Sequence, residues 1–178
     1  MPTTEIGLFA ILAYTLAFVS QVAYSKKTLW RIFIFLMMWS AIILHGVQLH
    51  LLIDIPQGQN LSWINLLSLL TWLSALLILL TNFILPVASL NFFLYPVIIV
   101  TIGLSKFFHP SYILATKYHP KILTHVLLAT LIVALLIICA IQSLLLLLQH
   151  FSLKEKKLFA LLERLPPLQT MEHLLFVE

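Results

Sequence analysis

Charge is what this chain has least of. Asp, Glu, Lys and Arg together make up 9% of its 178 residues, against about a quarter in an ordinary soluble domain. A soluble fold of this size exposes too much surface to hide the remainder, of which 62% of all residues are hydrophobic, at a mean hydropathy of +1.09. Lipid is the solvent that covers such a chain. Cysteine is nearly absent as well. Cys139 alone excludes an internal disulfide and a CxxC redox pair, and it reads as a small apolar residue on a helix face. Acidic groups are scarce: Asp54 and five glutamates, none in the middle of an apolar run. That argues against a transporter whose proton relay is built from buried carboxylates. There is no Gly-rich phosphate loop, no GxSxG and no HExxH, so no common catalytic signature is present. The ten basic residues are too few and too scattered for a nucleic-acid surface.

What is present is a series of long apolar runs. A spanning helix needs about 20 mostly apolar residues, and five runs qualify: 6–24, 29–53, 61–83, 87–108 and 122–148. The fold class expected is therefore all-α, a polytopic transmembrane bundle over 1–150. The first run is too long for the apolar core of a simple signal sequence and reads as a retained helix. Pro96 falls inside the fourth run, where it is expected to kink the helix or serve as a packing feature. Lys26, Lys27 and Arg31 follow the first span, and Lys154, Lys156, Lys157 and Arg164 follow the fifth. An even number of spans separates the two groups, so seven of the ten basic residues share one side. The positive-inside rule makes that side cytoplasmic and puts the N-terminus outside. Residues 151–178 change character. Leu158, Leu161, Leu162 and Leu165 recur at helical spacing among charges, as in an amphipathic helix on the inner leaflet, or as in a charged extension of the fifth helix. Pro166 and Pro167 end that pattern, and the last residues read as the start of a further element.

Histidine is the one chemically active type in quantity, seven in all: His45, His50, His109, His119, His125, His150 and His173. His45 lies well inside the second run and His125 near the head of the fifth. An ionisable side chain in a span needs a partner or a cavity, and imidazole is a common axial ligand of haem iron. At about 1.5 Å of rise per residue, His50 and His125 share a level near the outer boundary and His45 sits about 8 Å deeper. His45 and His50 are five positions apart and point from different faces of one helix. Hydrogen-bonded packing is the plainer role for each of these histidines.

The segments His45-Gly-Val-Gln-Leu, Gly58-Gln-Asn-Leu-Ser-Trp-Ile-Asn-Leu-Leu-Ser68, His125-Val-Leu-Leu-Ala-Thr and Leu165-Pro-Pro-Leu-Gln-Thr-Met-Glu172 follow one another in that order. In this order the chain resembles the cytochrome c assembly (CcsA-type) family of haem-handling membrane proteins, in its YpjD-like branch. The resemblance implies a bundle of about eight helices that binds and presents haem through histidines, works beside cytochrome c maturation proteins in the bacterial inner membrane, and is not itself an enzyme. His45 and His125 fall on positions that look like the family's haem-iron ligands. No role is carried onto His50. The chain departs from the family in lacking a tryptophan-rich outer segment, and it stops where similar proteins continue, which reads as a C-terminal truncation. The missing tryptophan-rich segment keeps open a regulatory or scaffolding membrane protein of the same fold without haem, and the proline-kinked fourth run keeps open a small-molecule or ion transporter, against which the lack of buried carboxylates counts.

Overall fold

The computed structural model of the chain describes residues 2–23, 28–84, 90–114 and 120–154. Among the described residues five helices carry the architecture: α1 (Pro2–Val22), α2 (Thr28–Ile53), α3 (Trp63–Thr81), α4 (Asn91–Phe107) and α5 (Pro120–Lys154). Four of them, all but α4, are long and apolar enough to cross a bilayer. With 17 residues, α4 extends about 25 Å at the helical rise, the lower limit for a span. Pro96 lies within α4 and faces outward, and the helix continues through it.

The structure differs from the sequence expectation at two helix ends and in one connection. Helix α1 starts at Pro2, where a proline fits because the first-turn N–H groups have no intrahelical partner. Helix α5 runs on to Lys154, past the expected stop near residue 148, because nothing between Leu148 and Lys154 breaks a helix. Its 35 residues span about 52 Å, well beyond the hydrocarbon thickness of about 30 Å. The third difference is a small antiparallel sheet where the sequence suggested only loops. Strands β1 (Asp54–Ile55), β2 (Gly58–Asn60) and β3 (Ile113–Leu114) pair in that order. Gly58, at a φ of 146°, makes the tight return from β1 possible. Asn60 Oδ1 accepts from the backbone N–H groups of Ser62 and Tyr112, and Leu61 N–H donates to the Tyr112 carbonyl. These bonds tie the α2–α3 connection to the chain that follows α4. Of the amphipathic segment expected over 152–164, residues 152–154 form the end of α5 and the rest lies outside the described residues, as do His119 and His173.

Helices α1 to α4 enclose the core. Helix α1 packs along α2 and α4, and α3 bridges α2 and α4. Tyr14 and Tyr95 meet at its centre, with ring centroids 5.4 Å apart. Lipid tails are as apolar as leucine, so close packing and interhelical hydrogen bonds hold such helices together. Trp72 shows both, donating from Nε1 to the Ile42 carbonyl at 2.8 Å. A Cβ on Gly46 would sit 3.2 Å from its indole, so the glycine sets how closely α2 and α3 approach. Helix α5 leans mainly on α3 and leaves most of its surface uncovered.

Candidate functional site

Two polar features stand out against this apolar background. The first is buried. The α2 register that places Met38, Ala41, Ile42 and Leu49 inward also places His45 and Gln48 inward. His45 is 0% exposed. Its Nε2 lies 2.9 Å from the Ser68 hydroxyl on α3, and its Nδ1 lies 3.4 Å from the Tyr14 hydroxyl on α1. The Tyr14 ring meets the imidazole edge-on, at 87°. His45 is thus a three-helix junction with a partner at each ring nitrogen. This is the arrangement that a buried polar side chain requires.

The second feature is open. A groove of about 350 Å³ lies at the sheet end of the bundle, between α2, α3 and the head of α5. Its walls are Leu49, Leu69, Trp72, Leu123, Val126 and Leu127, and its polar rim is His50, Asp54 and Gln59. The sequence folds this way locally because His50 and Asp54 are four residues apart, one helical turn, so the two side chains meet. A carboxylate only accepts, so His50 Nδ1–H donates to Asp54 Oδ2, at 2.6 Å. Gln59 Nε2 donates to the other carboxylate oxygen at 2.9 Å. The imidazole is fixed in orientation, and its Nε2 makes no hydrogen bond among the described residues. Ligating histidines are commonly held in this way, with the second ring nitrogen donated to a carboxylate.

The structure does not bring His45 and His125 together. His45 is enclosed and does not line the groove. His125 is exposed, on a turn whose Leu123, Val126 and Leu127 face the groove. At about 100° per residue, position 125 points to the other side of α5. His109 and His150 are exposed. No group of three or more His, Cys, Asp or Glu side chains able to hold a metal ion occurs among the described residues.

Haem, the group implied by the sequence resemblance, fits these positions unequally. At His45 both nitrogens are engaged and the ring is closed in on every side, so a macrocycle does not fit in this arrangement. At His50 an oriented imidazole stands at the mouth of an apolar groove, which does fit. The groove is at the small end of the usual range for ligand sites, roughly 300–1,000 Å³.

Sequence reasoning missed Tyr14 and Ser68 as partners of the core histidine. One signal for Ser68 was available. Ser62, Asn65, Ser68, Thr71 and Ser74 recur every third residue along a run otherwise dominated by leucine, and none is more than 4% exposed.

These features define a multi-pass helical membrane protein with a hydrogen-bonded polar core and an apolar groove at one end. The chain is 30% identical over 180 residues to the inner membrane protein YpjD of Escherichia coli K12, an alignment that covers 96% of this chain and 66% of that protein. The proteins of the same name from E. coli O6:H1 (strain CFT073) and O157:H7 match to the same extent. The similarity supports a YpjD-like family of membrane proteins. The chain spans a little under two thirds of the length of these relatives. No family model and no solved structure matches it.

Proposed function

We propose that this chain is a haem-handling protein of the bacterial inner membrane, active in cytochrome c assembly, with the N-terminus outside and the groove therefore at the outer face. The observation that carries this reading is the His50–Asp54 pair on the rim of an apolar groove. The pair presents one imidazole nitrogen at the end of the bundle that this reading places at the outer face. The similarity to inner membrane proteins and the bias of basic residues toward the opposite end support the placement. His50 would hold the iron, Asp54 would fix the imidazole, and the leucine and tryptophan walls would cover part of the ring. Bound there, haem would supply an iron centre whose redox state is set by ligation and by its apolar surroundings. The chain binds, orients and shields, and makes or breaks no covalent bond. Cytochrome c maturation proteins are the partners this role implies.

The test is a titration of the purified chain in mild detergent with haem, followed by visible absorption. A saturable Soret band at about one haem per chain is the expected result. A spectrum no different from haem in empty micelles would sink the proposal. It would favour a scaffolding membrane protein, a reading already supported by the closed environment of His45.

A further inference from the structure

We propose that the interior of the α1–α4 bundle holds a file of bound water that links His45 to the sheet end of the molecule. The argument begins with the buried polar stripe of α3. In its deeper half the hydroxyls bond back to their own helix: Thr71 Oγ1 donates to the Ser68 carbonyl and Ser74 Oγ to the Leu70 carbonyl. Those groups need nothing further. Toward the sheet end the pattern changes. Ser62 Oγ and Gln48 Oε1 are buried and have no hydrogen-bond partner among the described residues. Gln48 is 3% exposed and lies one turn beyond His45 on the inward face of α2. Asn65 lies one turn beyond Ser68 on α3, and Ser62 one turn beyond Asn65. The unpartnered atoms therefore continue the line Tyr14–His45–Ser68 outward to the end of the bundle.

An unpartnered polar group costs about 1–3 kcal/mol when buried, and a buried water with two to four polar partners removes that cost. Here the buried polar positions recur at one helical turn on facing sides of α2 and α3, the spacing that a row of bridging waters needs. Gly7 brings the α1 backbone against Gln48, where a Cβ would come within 2.7 Å of Nε2, so α1 seals the line from lipid on that side. Gln21, Asn91 and Gln142, which also carry unpartnered buried atoms, lie toward the opposite end of the bundle and belong to no such line. The ligand class of the site is water. Its consequence is that the His45 imidazole, although fully enclosed, exchanges protons with the exterior at the sheet end. This inference is independent of haem binding, and a chain that takes up no haem still carries the file.

Radiolytic hydroxyl labelling of the intact protein in detergent, read by mass spectrometry, tests it, because bound water generates the radical beside the side chains it touches. Oxidation of Tyr14 and His45, both 0% exposed, is expected in the wild type. A fall of several-fold at both is expected in Gln48→Leu, with labelling of exposed His150 unchanged. A wild-type protein labelled at His150 and not at Tyr14 or His45 has a dry interior, and the proposal fails. Equal labelling with and without Gln48→Leu shows that the water does not pass Gln48, which overturns the file as drawn. If Gln48→Leu does not accumulate, the wild-type arm decides alone.

Discussion

Tyr14→Ala is expected to remove about 3 kcal/mol from the unfolding free energy of the bundle, near the low end for deleting a fully buried aromatic ring. The reason is position. Tyr14 is 0% exposed and meets both His45 and Tyr95. It joins α1 to α2 and α4, the two helices that α1 packs along. Truncation leaves a void between three helices, and the atoms around it lose their dispersion contacts outright. It also takes a polar neighbour from His45. Tyr14→Phe keeps the ring and loses only the long contact to Nδ1, for which about 0.6 kcal/mol is a typical intramembrane value. Unfolding in mixed detergent–SDS micelles, followed by tryptophan fluorescence, measures both. Equal and small losses in the two variants would show that α1 is not held at this point.

Asp54→Asn is expected to weaken haem binding 10- to 100-fold, the usual cost of losing the group that orients a ligating histidine. The carboxylate has two acceptor oxygens and uses both, one for His50 Nδ1–H and one for Gln59 Nε2. An amide offers a single acceptor, so it serves one donor and turns its own N–H groups on the other. His50 then loses its fixed orientation. The haem titration of this variant measures the effect. An unchanged affinity would mean that the His50–Asp54 pair does not hold the iron.

The fold was largely legible because the signals are long. Five apolar runs punctuated by Lys26, Asp54, Pro56 and Pro86 announce five helices, and hydropathy needs no tertiary information to show them. The small sheet was not legible. Its strands have two or three residues, and β2 pairs with Ile113–Leu114, more than fifty positions away. No local pattern encodes that pairing. The site was legible only in part. His45 was visible as an imidazole in an apolar run, but its partners Tyr14 and Ser68 are 31 and 23 residues away. The face of α5 that His125 takes depends on how that helix leans on α3, which hydropathy does not report. His50 and Asp54 were adjacent by helical spacing throughout. The groove beside them forms only where the C-terminal end of α2 meets the heads of α3 and α5.

The most direct test of the haem account is the visible spectrum of the chain purified from membranes, recorded beside His50→Ala, His45→Ala and His125→Ala at matched protein concentration. The account predicts a Soret band in the wild type that is lost in His50→Ala and retained in the other two. A band that survives in His50→Ala, or its absence from the wild type, contradicts it.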